Sequence, residues 1–203
     1  MKLKIASLLI ASCGLASAAT VSVSCATDMD FTTNPVSLAN ELTSAFTAHV
    51  GYYSGGVLST SANFATVNAL WTNVGTVNFA TGTALSGVSG VNGWFAIPST
   101  TYNSVTSGLG GKNIALWITN GSGDNLVMVS SSTFKNDGDI PNAASVGVSS
   151  AAKATWTLDL GTVTTSGANS GFGGSYVLNV VPEPSAALLG AFGALALLRR
   201  RRA

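Results

Sequence analysis

The sequence predicts a mainly β protein, an antiparallel β-sandwich with one short amphipathic helix, and three observations support this prediction. The 203-residue chain contains 23 glycines, and only 8% of its residues are charged. Its apolar residues mostly alternate with polar ones, which is the periodicity of strands. Clusters of Gly, Asn and Ser separate the alternating runs, as is typical of tight turns. Many short strands joined in this way favour a sandwich.

Seven short runs are predicted to form strands. In the run around Trp117, this indole lies on the face opposite its aliphatic neighbours. The run that begins at Trp94 is predicted to end at Pro98, because proline cannot donate a hydrogen bond to a sheet. The predicted strands are Val21–Cys25, Phe46–Tyr53, Trp94–Pro98, Ile114–Ile118, Leu126–Val129, Trp156–Leu160 and Tyr176–Val180.

One segment has a helical period instead. Between Phe64 and Val74, apolar residues recur at intervals of three, four and three. This spacing predicts an amphipathic helix of about three turns. Ser61 is the predicted N-cap and Gly75 the predicted C-terminal stop.

The N-terminus has the features of a secretory signal peptide. Two lysines precede an apolar run over residues 5–15, and Ala16 and Ala18 supply the small side chains that a cleavage site requires. We therefore assign residues 1–18 to a signal peptide that is cut between Ala18 and Ala19.

A lipoprotein signal is the alternative for this end of the chain. Residues 10–13 read Ile-Ala-Ser-Cys, which would make Cys13 the lipidated N-terminus. The apolar run before it would then be only six residues long, which is shorter than signal peptides usually have. This alternative therefore ranks second.

The C-terminus combines a proline motif, an apolar run and a basic cluster. Residues 185–198 carry no charge, and a helix of that length would span roughly 21 Å, less than the roughly 30 Å hydrocarbon core of a bilayer. Four arginines follow, and the preference for positive charge on the cytoplasmic side would leave the rest of the chain outside. A buried C-terminal core helix is the alternative. The sequence favours a short transmembrane helix.

The tail resembles the PEP-CTERM sorting signal, in which a Val-Pro-Glu-Pro-Ser motif precedes a short apolar helix and a terminal arginine cluster. The resemblance covers residues 182–203. It implies transit through the secretion machinery, a transient stay in the inner membrane and recognition by an exosortase. The product would be delivered to the cell surface or extracellular matrix of a Gram-negative-type bacterium. The implied sorting residues are Pro182, Glu183 and Pro184, with Arg199, Arg200, Arg201 and Arg202 as the cytoplasmic stop.

Residues 19–181 remain as a β-rich extracellular body. This body contains three lysines and seven carboxylates, a net charge of −4, because the other basic residues lie in the two signals. Without a basic patch, nucleic-acid binding is not expected. Cys25 is the body's one cysteine, so no disulfide forms within it.

Catalytic residues are not evident in the body. A nucleophilic triad needs a base, and His49 is the one histidine in the chain. It lies on the polar face of its predicted strand, where a solvated or hydrogen-bonded histidine is ordinary. The carboxylates form no paired motif of the kind that a glycosidase requires. A secreted hydrolase that uses His49 or Asp139 is therefore the third hypothesis, and we assign no catalytic residue.

The segment Asn136-Asp137-Gly138-Asp139 is a candidate for a calcium site. Oxygen ligands at alternating positions around a glycine suit a hard cation. The same residues are also the usual residues of turns, and no glutamate follows at the EF-hand spacing. Calcium at Asn136, Asp137 and Asp139 is therefore a hypothesis, and no other cofactor is expected.

Trp117 is a candidate for glycan stacking, because it points away from its aliphatic neighbours and is expected to be exposed. The leading functional hypothesis is nevertheless an exported, non-enzymatic protein of the cell surface or extracellular matrix. A carbohydrate-binding or adhesion module of the exopolysaccharide matrix is the alternative.

Overall fold

The computed structural model describes residues 18–25, 30–33, 42, 45–56, 58–59, 61–79, 83–85, 88–91, 95–148, 155–164 and 175–180. The predicted sorting segment, residues 1–17 of the predicted signal peptide and Trp94 lie outside these ranges. Within them, no helix is long and apolar enough to cross a membrane.

The part of the chain that the structure describes is mainly β, as predicted, with fourteen strands and two short helices. The helices are α1 (Phe64–Ala69) and α2 (Ser104–Ser107). The strands are β1 (Ala19–Cys25), β2 (Asp30–Thr32), β3 (Thr47–Tyr53), β4 (Trp71–Asn78), β5 (Thr83–Leu85), β6 (Val88–Val91), β7 (Ala96–Tyr102), β8 (Asn113–Thr119), β9 (Asp124–Thr133), β10 (Ala143–Val148), β11 (Trp156–Leu160), β12 (Thr162–Thr164), β13 (Ser175–Val177) and β14 (Asn179–Val180).

Most strand pairs are antiparallel. The largest sheet has the order β11-β9-β8-β3-β4, with β14 also paired to β9, and all of its pairs are antiparallel. A second sheet has the order β10-β1-β7, a third β12-β13-β2, and β5 pairs with β6. The pairs β1–β10 and β13–β2 are parallel.

Side chains from the largest sheet and from the two three-stranded sheets share one hydrophobic core. Val23 of β1 and Ile97 of β7 belong to the same buried cluster as Val50, Leu116 and Met128 of the largest sheet. These residues are at most 2% exposed. The predicted alternation of faces in β3, β8 and β9 is therefore confirmed.

A second cluster lies on the opposite face of the largest sheet. It contains Trp117 of β8 and Val127 of β9 together with Val67 of α1. Helix α1 thus buries its apolar side chain against this face, as an amphipathic helix is expected to do.

Helix α1 is shorter than predicted. Asn63, rather than Ser61, is its N-cap and accepts a hydrogen bond from the amide nitrogen three residues later at 3.1 Å. Trp71 and Val74, which were expected to continue the helix to Gly75, lie in β4. The segment around them is rich in Thr and Val, which favour strands, and it pairs with β3 along its length.

Two other strands differ from prediction at irregular positions. Strand β7 does not end at Pro98 but continues to Tyr102, because the register shifts at this point and no ladder hydrogen bond is required from the proline. In β11 the strict alternation of a strand predicts that Leu158 and Leu160 share one face, but a register shift between them places Leu160 in the cluster under α1, while Leu158 packs on the main core.

Candidate functional site

The candidate calcium site lies in a turn between β9 and β10. Asp137 accepts two backbone hydrogen bonds there: Oδ1 accepts one from the Ala19 nitrogen at 3.0 Å, and Oδ2 accepts one from the Ser104 nitrogen at 3.1 Å. The Asp137 nitrogen in turn donates to Ser104 Oγ at 2.8 Å. One carboxylate therefore joins this turn to the start of β1 and to the start of α2.

The other acidic side chain of the turn closes the turn itself. Asp139 Oδ2 accepts hydrogen bonds from the Asn136 nitrogen at 2.7 Å and from Asn136 Nδ2 at 3.3 Å. Gly138 between them has φ +91°, a backbone conformation that favours glycine. Among the residues that the structure describes, no group of three or more His, Cys, Asp or Glu is arranged to hold a metal ion. Calcium binding at Asn136, Asp137 and Asp139 stays a prediction.

Aromatic side chains fix this turn on β7. The Tyr102 hydroxyl donates to the Lys135 carbonyl at 2.9 Å, and its ring meets Phe134 edge-on with the centroids 5.1 Å apart. Burial raises the pKa of Tyr102, and the charges of Asp137 and Asp139 act in the same direction. Tyr102 thus holds the residues that lead into the turn at Asp137.

The predicted signal cleavage bond lies where the chain enters the first sheet. Ala18 is exposed, and its carbonyl accepts a hydrogen bond from Asn142 Nδ2 at 3.1 Å. Ala19 is fully buried and is the first residue of β1. Ala16, the other small residue of the predicted cleavage site, lies outside the described ranges.

The prediction that Trp117 is exposed is wrong. Its side chain is 1% exposed, and its Nε1 donates to Asn125 Oδ1 at 3.0 Å. Phe64 of α1 and Trp71 of β4 cover it, with ring centroids at 5.1 and 5.6 Å. The face was predicted correctly, but strand alternation does not indicate whether a helix covers that face. A buried indole offers no stacking surface to a glycan.

His49 lies beside Trp117 on the same face. The two rings stack with their centroids 4.9 Å apart, and Asn73 forms a hydrogen bond with the imidazole. Burial lowers the pKa of His49, and the bond with Asn73 opposes this effect more weakly. The surroundings therefore favour a neutral, structural imidazole.

Asp159 of β11 is a half-buried acid. Burial raises the pKa of Asp159, and its charge contributes to raising the pKa of Tyr53. The irregular register between Leu158 and Leu160 places it at this position. Strand periodicity alone could not reveal that Asp159 is half-buried, because a shift of register changes which side chains face inward.

A polar cleft between the end of β9 and β10 was also missed. Its volume is about 350 Å³, and hydroxyl groups together with one ammonium group line it. The polar lining residues are Ser131, Ser132, Thr133, Lys135 and Ser145. Such a lining can donate to and accept from a hydroxylated or anionic ligand. The repeated Ser and Thr at the end of β9 are its only signal in the sequence.

Most of the candidate polar groups thus have partners within the chain itself. Asp137 and Asp139 accept backbone N–H groups, and Asn125 accepts from an indole. This arrangement favours structural roles for these side chains. No protein-family model, curated protein or solved structure matches the chain.

Proposed function

We propose that the protein is exported and becomes a non-enzymatic component of the cell surface or extracellular matrix after an exosortase has processed its C-terminal sorting segment. The observation that supports this most is the agreement between the described strands and the two predicted signals. Strand β1 begins at Ala19, directly after the predicted cleavage bond, and the described strands extend to Val180, close to Pro182.

The body between the two signals is interpreted as a β-sandwich. This interpretation is supported by the buried cluster that the sheets β10-β1-β7 and β11-β9-β8-β3-β4 share. A body with its own core could remain folded after both signals have been removed.

The non-enzymatic role is supported by the surroundings of the polar candidates. His49 stacks on Trp117 and bonds to Asn73, which leaves it oriented by the sheet rather than toward a nucleophile. Asp139, the acid of the hydrolase hypothesis, closes its own turn. A hydrolase needs a base positioned beside a nucleophile, and neither residue is held in that way.

Mass spectrometry of the membrane and secreted fractions tests the proposal. The membrane-bound precursor is expected to retain Arg199–Arg202, whereas the secreted protein is expected to lack them. Pro184→Ala should trap the precursor in the membrane fraction. Pro98→Ala is the matched control, because this exposed proline lies in the body. An intact arginine-rich C-terminus on secreted protein would contradict the proposal.

The second candidate function is binding of matrix carbohydrate, and the polar cleft favours it. Its hydroxyl groups suit a sugar, and Lys135 suits an acidic one. On affinity gels that contain an acidic exopolysaccharide, Lys135→Gln should reduce retention. Lys112→Gln is the control, because Lys112 lies over the Tyr52 ring, outside the cleft. Equal retention of both variants and the wild type would exclude the cleft as the binding site.

A further inference from the structure

The starting point is the contact between Ala19 and Asp137. The Ala19 nitrogen lies 3.0 Å from Asp137 Oδ1, across 118 residues of sequence. In the uncut chain this nitrogen is a peptide N–H. Hydrolysis of the Ala18–Ala19 bond adds water: Ala18 leaves with a new carboxylate, and the Ala19 nitrogen becomes an ammonium group. The peptidase of the secretion machinery would catalyse this step.

We infer that Asp137 is the binding site for the α-ammonium group of the mature chain. The inference rests on the proposed export, because export is what removes residues 1–18. It gives this acidic side chain a function that depends on processing. The new charge would arise within hydrogen-bond distance of a carboxylate that is already in place.

Contacts of the first residues of β1 hold the Ala19 nitrogen in place. Ala19 is fully buried and pairs with Tyr102 in the β1–β7 ladder. The next amide, of Thr20, donates to the Asn142 carbonyl at 3.0 Å. Since both contacts belong to residues that stay after cleavage, the ammonium group would remain beside Asp137.

Hydrogen bonds with Ser104 hold the Asp137 carboxylate in place. Its second oxygen accepts from the Ser104 nitrogen, and the Asp137 backbone nitrogen donates to Ser104 Oγ. Ser104 is only 6% exposed. Asp137 itself is half-buried. A pair held in this way loses little side-chain entropy on forming and is screened less than a pair on the open surface.

A carboxylate suits the processed state better than the uncut one. In the uncut chain only the Asp137 carboxylate carries a charge in this bond, whereas after cleavage both partners are charged and Coulombic attraction is added to the hydrogen bond. Cleavage also removes the bond between the Ala18 carbonyl and Asn142 Nδ2. Processing therefore exchanges a neutral bond at this junction for an ion pair.

The first test is the intact mass of the protein recovered after export. A mature chain that begins at Ala19 is expected. Exported protein that begins at any other residue would overturn the inference and leave the proposed export standing. Protein that is not exported at all would instead contradict the proposed function.

The second test is a coupling measurement on the exported protein. Acetylation of the α-amino group near neutral pH, confirmed by peptide mapping, removes its charge. In the wild type, acetylation should lower Tm by about 3 °C. Asp137→Asn should lower Tm by at least as much, because asparagine keeps one acceptor oxygen for the two donors, and acetylation should add little to that loss. Asp139→Asn is the matched control, in which acetylation should still lower Tm as it does in the wild type.

Additive losses in Asp137→Asn would overturn the inference. If this variant does not fold, the wild type alone provides the test, because its Tm must fall when the α-amino group is acetylated. An unchanged Tm would overturn the inference in that case as well.

Discussion

The imidazole ring of His49 stacks on the indole of Trp117, with their centroids 4.9 Å apart and their planes 25° from parallel. The two residues are directly opposite each other in the β3–β8 ladder. The stack shields one face of the imidazole from water and places His49 against Trp117 of the second hydrophobic cluster. The one histidine of the chain thereby becomes part of the packing.

This stack predicts that stability falls on acidification. Burial lowers the pKa of His49 from its ordinary value of 6.5, so the unfolded chain binds the proton more tightly than the folded chain does. The contribution of the neutral ring is therefore complete above pH 6.5 and is lost as the pH falls through the folded pKa. Thermal melting between pH 7.5 and 5 measures the loss.

His49→Gln is the comparison for this measurement, since it cannot titrate. The Tm difference between wild type and variant should shrink as the pH falls below 6.5. Parallel profiles would contradict a neutral, half-buried His49. Asp124 and Asp159 titrate in both proteins, and their effects cancel in the difference.

Replacement of Asp159 by asparagine is expected to stabilise the folded protein at neutral pH. Burial raises the pKa of this carboxyl from 3.8, so its ionisation is less favourable in the folded chain than in the unfolded one. The contribution of the neutral Asp159 carboxyl to the free energy of unfolding is complete below pH 3.8 and is lost as the pH rises through the folded pKa. Asp159→Asn keeps the shape and removes the charge, so Tm at pH 7 should rise.

The low-pH measurement is the internal control for Asp159→Asn. At pH 3.5 the wild-type side chain is mostly neutral in both states, so the gain in Tm should be much smaller there. A gain of the same size at pH 3.5 and pH 7 would show that the cause is packing rather than charge.

Trp117 is predicted to contribute to stability rather than to glycan recognition. Trp117→Ala would remove a buried indole and leave Asn125 Oδ1 without its donor. A loss of about 3–5 kcal/mol in the free energy of unfolding is expected, and urea denaturation measures it. Trp71→Ala, at a half-buried indole of the same cluster, should cost less. A stable Trp117→Ala protein that only loses polysaccharide retention would contradict the burial of Trp117.

Trp117 also illustrates how much of the fold the sequence could predict. Alternation identified its strand and its face, because the side chains of a strand alternate strictly between two faces. It could not reveal that Phe64 lies over that face, since the contact depends on where a separate helix packs. In the same way, the spacing of Trp71 and Val74 fits a helix, but pairing with β3 makes this segment a strand.

The candidate site was predictable only in part. The acidic turn at Asp137 was visible as a cluster of turn residues, and the proposed cleavage bond rests on a pattern of small side chains. Their contact was not visible, because 118 residues separate them and only the fold brings them together. Likewise, the half-buried position of Asp159 depends on a register shift that local periodicity does not encode.

Addition of one methyl group is expected to have different effects on stability at Gly51 and at Gly147. A Cβ at Gly51 would lie 2.9 Å from Trp71 Cζ2 and still closer to the Thr72 carbonyl oxygen, so β3 and β4 would have to separate. Gly51→Ala should therefore destabilise the protein by roughly 1–3 kcal/mol. Gly147→Ala in β10 is the matched control, because a Cβ there would meet no atom within 4 Å. That change should leave Tm unchanged or raise it slightly, because alanine restricts the unfolded chain. Thermal melting of both variants measures the contrast, and equal Tm values would contradict the close approach of the two strands at Gly51.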